Sequence, residues 1–360
     1  MASTTGLPKV LIIGSGGVGA VSALSLHTRN RSEVTMVIRS DYDKVVKEGY
    51  TFDSCTYGKI TGWRPHNIAK TVPEAQEKFG NFDYIIVTTK NIPDGYSTCE
   101  DIIKPAVTPG VSTIILMQNG IGIDGPMKEA FPQNVTLSAV THIGSTNYHA
   151  VIENKGADNV FLGDFDHSFD TCSPKVQKII NDFIHIYKND NDLNFIRIDD
   201  NVKKTRWEKL IYNSVFNTVT AIVNLDVTRC QINNGNIDLF GPAMDEVLAI
   251  AKAEGVIIDE AEKKEKFLHI GDGLLYTPSM CVDMRKNQLL EIEIILGNPL
   301  KIAKKHNVPT PTLSVIYSLL SMVQFRIKES VGFLKINEDD FKGNSDDLHQ
   351  IYLDKYIHKQ

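Results

Sequence analysis

The chain has 360 residues, 42% hydrophobic and 23% charged, an ordinary globular composition with length enough for two domains that each bury a core. A net charge of −6 argues against a nucleic-acid footprint, which would show as a clustered Lys/Arg surplus. Apolar runs such as Thr113–Met117 are far shorter than the ~20 residues a membrane span needs, so neither nucleic acid nor membrane is expected as a partner. The cysteines Cys55, Cys99, Cys172, Cys230 and Cys281 are scattered and never in C-x-x-C spacing, which argues against zinc or a disulfide framework. Met1–Lys9 has no basic start, apolar run or Arg-rich pattern, so the expected location is cytoplasmic.

In chain order, Lys9–Ile13 is a short apolar run ending in glycines, and Ala20–His27 is a helix of small residues. Glu33–Ile38, Phe82–Thr88, Ser112–Met117 and Val135–Val140 are β-branched runs bounded by turn residues. This βαβα rhythm predicts a largely parallel sheet covered by helices. His149–Glu153, Val160–Gly163 and Asn194–Ile198 read as further strands in an antiparallel extension, with Asn189–Asp192 as a turn. After about residue 200 the strand signal stops. Asn201–Asn224, Ile237–Glu254 and Ser279–Leu296 have helical patterns. Pro311–Lys328 is predicted as another helix, with Thr310 as its N-cap and Pro311 at its first position. The boundary is placed near Ile198–Asn201, dividing residues 1–199 from a helical unit of residues 200–360. The tail after residue 330, rich in Asp, Lys and Asn, reads as a solvated appendage.

Chemistry first enters at the loop Gly14-Ser15-Gly16-Gly17-Val18-Gly19, a G-x-G-x-x-G placed directly between a strand and a helix. Gly14 permits the tight turn, Gly16 lets backbone approach a pyrophosphate, and Gly19 allows close helix–strand packing. All of these loop residues are candidates for holding a dinucleotide on the helix N-terminus, where free N–H groups favour anions. The fold class expected is therefore α/β, a Rossmann-type dinucleotide-binding domain followed by an all-α C-terminal domain. At the end of the second strand an NAD-preferring domain usually carries Asp or Glu. Arg39 stands there instead and suits a 2′-phosphate, which favours NADPH, although Asp41 and Asp43 lie close by. A solvated arginine at a strand end is the alternative.

Thr88-Thr89-Lys90 and Gln118-Asn119-Gly120-Ile121-Gly122 each follow a predicted parallel strand, on the edge where such sheets bind ligands. Further on, Lys209, Asn213 and Asn217 share one helix face at i, i+4, i+8, interleaved with Leu210, Ile211, Val215 and Phe216. A buried strip of one lysine and two amides is costly unless partners or a ligand satisfy it. It is either a polar seam between domains or a substrate pocket with Lys209 as proton donor. Ser279, Asp283 and Glu291 fall in a later helical pattern, and Glu291 is an acid within an apolar run. Alone, it fits an interface ion pair as well as a site.

Taken together, the glycine loop, Thr89-Lys90, Asn119-Gly120-x-Gly122, Lys209-x-x-x-Asn213-x-x-x-Asn217, and Ser279-Met280-x-x-Asp283 with Glu291 resemble the ketopantoate reductases (2-dehydropantoate 2-reductases). The likeness runs in order from about residue 8 to residue 328. It implies an active site in a cleft between a Rossmann domain and a helical one. Lys209 would be the general acid that protonates the keto oxygen as NADPH delivers hydride. Asn213, Asn217 and Ser279 would hold the substrate, Lys90 and Asn119 would sit where cofactor and substrate meet, and Glu291 would lie near the substrate hydroxyl or the cofactor. The family's Gly-Arg and Thr before the glutamate are replaced here by Asn287-Gln288 and Leu290, and Val227 replaces a frequent polar residue. Those positions border the substrate pocket, so another branched or hydroxylated 2-oxo acid is the alternative substrate, and a non-catalytic NADP-binding sensor the alternative function. The tail exceeds the usual family length, and the sequence permits a homodimer without requiring one.

Overall fold

The computed structural model describes residues 6–343 and 347–357. Its strands are β1 (Lys9–Ile13), β2 (Glu33–Val37), β3 (Tyr50–Ser54), β4 (Gly58–Trp63), β5 (Asn67–Ala69), β6 (Tyr84–Val87), β7 (Thr113–Leu116), β8 (Thr136–His142), β9 (Ser145–Tyr148), β10 (Val151–Asn154), β11 (Asp158–Asp164) and β12 (Asn194–Ile198). Among them run α1 (Gly17–Thr28), α2 (Tyr42–Glu48), α3 (Val72–Phe79), α4 (Cys99–Ile103), α5 (Asp124–Ala130) and α6 (Pro174–Tyr187). An eight-stranded sheet is ordered β12-β11-β8-β7-β6-β1-β2-β5. All neighbours in it are parallel except β8 and β11. β6 and β7 are buried at every residue, and β1 and β2 at all but their first, as strands covered by helices on both faces must be. Strand order reverses between β1 and β6, so the carboxyl ends of these two flank the crevice where open α/β sheets bind ligands.

The strand expected at His149–Glu153 does not extend the main sheet: it is β10 of a second, four-stranded sheet, β4-β3-β10-β9, which the sequence reading did not foresee. Its outer strand β4 has no buried residue, so its sequence lacks the alternation that marks a half-buried strand. The sheet and its β9–β10 turn still bury Tyr50, Phe52, Ile152 and Ala150 in a core shared with Ala20, Val21 and Leu24 of α1.

Beyond β12 the described residues form helices: α7 (Val202–Tyr212), α8 (Thr218–Val223), α9 (Val227–Ile232), α10 (Gly241–Ala253), α11 (Glu260–His269), α12 (Ser279–Arg285), α13 (Asn298–His306), α14 (Pro311–Ser330) and α15 (Leu348–Tyr352). A π-helical turn, Asn213–Asn217, joins α7 to α8, so the long pattern from Asn201 to Asn224 is not a uniform α-helix. The stretch Ser279–Leu296 is not one helix either. Asn287, at φ 55°, turns left-handed and ends α12, and helix resumes only after Glu291. Thr310 occupies the N-cap position of α14 without capping it. The carboxylate of Glu246 on α10 accepts from the amides of Thr312 and Leu313, both at 2.8 Å, and replaces it. The tail also folds back, with the Tyr352 ring edge-on to Phe325 of α14 at 5.7 Å. Both halves share one apolar core, in which Leu11, Ile13 and Leu116 join Trp207, Leu210 and Phe216.

Candidate active site

The strand–loop–helix at the start of the chain builds an anion cradle. Gly14 has φ +119°, and a Cβ there would lie 2.5 Å from Thr88 Oγ1. A Cβ on Gly19 would lie 2.0 Å from the Gly14 carbonyl, and one on Gly17 2.4 Å from the backbone of Ser145 in β9. Only hydrogen fits at these three positions. A Cβ on Gly16 would meet nothing within 4 Å, so its exposed backbone faces open space. Gly16 caps α1 without a side-chain hydrogen bond, and the first turn carries no acid, which leaves the helix amides free for an anion. The residues therefore fit a dinucleotide pyrophosphate. Asn147 steadies the loop from the second sheet, its Nδ2 donating to the Ser15 carbonyl (2.7 Å) and to Asp41 Oδ2 (2.8 Å). Val18 is half-buried behind the loop, and Arg39 stands exposed just past β2.

Across the crevice, α7 brings its polar strip over the carboxyl ends of β7 and β8. Lys209 Nζ donates to the Thr141 carbonyl of β8. Burial lowers its pKa to about 8, the Arg206 guanidinium adds to the lowering, and Glu291 opposes it. Lys209 lines a narrow, tightly packed recess with Gln118, Asn119, Gly120, Arg206 and Asn213. The π-helical turn follows at once. Asn217 Nδ2 donates to Asn213 Oδ1 and to Ser279 Oγ, both at 3.2 Å, so the two amides and the serine form one chain. Asn213 and Asn217 are buried, while Ser279 is exposed at the start of α12.

Glu291 joins the halves from the non-helical segment after α12. Its Oε1 accepts from the backbone amide of Asn91 at 3.0 Å, and its Oε2 from Asn119 Nδ2 at 3.5 Å. Burial raises its pKa; the Asn91 amide and Lys90 oppose the rise, and Asp283 adds to it. Lys90 pairs with Asp283 at 2.5 Å and reaches Gln288 Oε1 at 3.4 Å. Lys209, Asn213, Asn119 and Glu291 are thus brought together, with Asn217 and Ser279 continuing the strip and Lys90 beside it. The glycine loop and Arg39 occupy the neighbouring stretch of the crevice, past the ends of β1 and β2.

Sequence reasoning missed Arg206. It is buried one turn before Lys209, and among the described residues no carboxylate lies within ion-pair distance of it. Its Nε donates to Ser138 Oγ (2.9 Å) and its terminal nitrogens to the carbonyls of Gln118 (3.0 Å), Gly120 (3.1 Å) and Leu116 (3.3 Å). The guanidinium pins the helical half to the loop that carries Asn119. A charge one turn from Lys209 on a buried helix was the available signal. Asn91 and Asn147, which act through a backbone amide and a carboxamide on the loop, had none.

Comparison with known proteins finds relatives over most of the chain. Residues 10–167 match the family model described as "Ketopantoate reductase PanE/ApbA", and residues 201–324 match "Ketopantoate reductase PanE/ApbA C terminal". The chain is 43% identical over 354 residues to the uncharacterized Saccharomyces cerevisiae protein YDL144C, covering 92% of this chain and 98% of that protein. Among solved structures, it is 26% identical to the 2-dehydropantoate 2-reductase from Methylococcus capsulatus, with TM-score 0.72 over 89% of this chain and 97% of that one. D-mandelate dehydrogenase, solved with NADH and anilino(oxo)acetate, shares the fold at 18% identity, with TM-score 0.75 over 89% of this chain and 99% of that one.

Proposed function

The chain belongs to the ketopantoate reductase PanE/ApbA family, and we propose that it reduces a 2-oxo acid with NADPH, ketopantoate being the first candidate. The observation that carries this reading is Lys209, its pKa lowered to about 8, facing a recess shared with Asn119 and Asn213 and close to the half-buried carboxyl of Glu291. The glycine loop and the N-terminus of α1 would hold the pyrophosphate, and Arg39 the 2′-phosphate. Bound there, NADPH would supply the hydride. The Lys209 ammonium gives its proton to the keto oxygen, its charge offsets the developing alkoxide, and the neutral amine regains a proton from solvent. Asn213, Asn217 and Ser279 hold the acid by hydrogen bonds. Glu291 accepts from a substrate hydroxyl, and Lys90 with Asn119 lines the junction between the two ligands.

The test is loss of NADPH absorbance when ketopantoate is added to the purified protein. Turnover is expected, with NADPH preferred to NADH. Arg39→Ala should narrow that preference by about 1–3 kcal/mol, the scale of hydrogen bonds to a charged group. Equal affinity for the two dinucleotides in the unsubstituted protein would remove Arg39 from the cofactor site.

A further inference from the structure

We propose that Gln324 and Lys328 of α14 are positioning residues that together fix the Glu291–Asn91 contact across the crevice. Neither touches the recess. They lie one turn apart on the same helix face, and both are buried, at 4% and 8% exposure. Each reaches one end of the same span. The Gln324 carboxamide accepts from the Leu290 amide (2.9 Å) and donates to the Leu290 carbonyl (3.2 Å), gripping both backbone groups of the residue before Glu291. Lys328 Nζ donates to Asp94 Oδ2 (2.5 Å) and to the Asp94 carbonyl (3.1 Å), anchoring the loop between β6 and α4 that carries Asn91. The Phe333 ring lies under the Lys328 ammonium at 5.2 Å and edge-on to Tyr96 at 4.5 Å, which adds a second hold on that loop.

The geometry explains why polar groups sit on a buried helix face. The segment carrying Glu291 has left the helix, so the Leu290 amide and carbonyl have no helical partners and must be satisfied from outside. Because Gln324 serves both, its amide orientation is set by its partners. With both ends fastened to one rigid element, the Glu291 carboxylate meets the Asn91 amide at a fixed place, and Lys90, next to Asn91, is carried with it. The catalytic meaning of this clamp rests on Glu291 serving a bound oxo acid; the clamp itself does not.

Amide hydrogen exchange at Asn91 is the test, in the full chain without substrate. Asp94→Asn, at an exposed residue, and Gln324→Met, which keeps much of the volume and loses both acceptor and donor, should each quicken exchange at Asn91 by about tenfold, with β6 and β7 amides unchanged. In assays with NADPH, both single variants should raise KM for the oxo acid about tenfold and leave kcat within about twofold. Unchanged Asn91 exchange in both would overturn the proposal, and so would faster exchange with an unmoved KM in an active enzyme. Faster exchange in a protein that reduces no oxo acid would keep the clamp and refute the reductase reading.

Discussion

Lys209→Ala is expected to lower kcat by ~10²-fold or more while NADPH affinity stays nearly unchanged, because general acid catalysis is worth ~10²–10⁴ and the lysine lies away from the glycine loop. A pH profile gives a sharper signature. An amine whose pKa is lowered to about 8 is protonated below that value and neutral above it. As proton donor, it should therefore hold kcat/KM flat on its acid side and let it fall with rising pH through about 8. In Lys209→Ala that basic limb should vanish from the residual rate. Near-normal turnover in the variant, or an unchanged basic limb, would make Lys209 a structural residue of the interface.

Arg206→Met is expected to destabilise the protein by at least ~3 kcal/mol, read as a shift of the urea midpoint. Methionine matches much of the volume but donates nothing. Ser138 Oγ and the carbonyls of Leu116, Gln118 and Gly120 would each lose a donor in the interior. An unmade hydrogen bond of this kind costs about 1–3 kcal/mol, partly offset here because a charge no longer has to be buried. Arg206→Lys should fall between, since an ammonium cannot span those acceptors as the guanidinium fork does. A loss below about 1 kcal/mol in Arg206→Met would mean that water replaces the guanidinium. The loop bearing Asn119 would then be held by something else.

Legibility followed physical pattern. The inner strands of the main sheet and the glycine loop could be read because central parallel strands are continuous apolar runs and a phosphate turn needs glycine at set places; the three-residue edge strand Asn67–Ala69 could not. Of the second sheet only the strand at His149–Glu153 was legible: Gly58–Trp63 exposes its residues on both faces, and Ser145–Tyr148 is short and polar. The break before Glu291 was hidden because Leu289, Leu290, Ile292 and Ile294 keep a nearly helical apolar rhythm while Asn287 turns left-handed. Thr310 looked like a cap on local chemistry, yet Glu246, distant in sequence, takes the amides. Lys209, Asn213 and Asn217 were visible as a polar strip on an apolar helix. Their separation by a π-helical turn, where such turns often mark functional sites, was not.

The substrate reading is tested most directly by comparing kcat/KM for ketopantoate with that for its analogue lacking the hydroxyl, in the unsubstituted protein and in Glu291→Gln. A carboxylate placed to meet a hydroxyl loses that hydrogen bond, made to a charged group, when the analogue lacks it. The unsubstituted protein should therefore favour ketopantoate by ~10²-fold or more, and Glu291→Gln should erase much of that preference. If the deoxy analogue is reduced as well as ketopantoate, Glu291 does not read a hydroxyl, and the protein reduces some other oxo acid on the same scaffold.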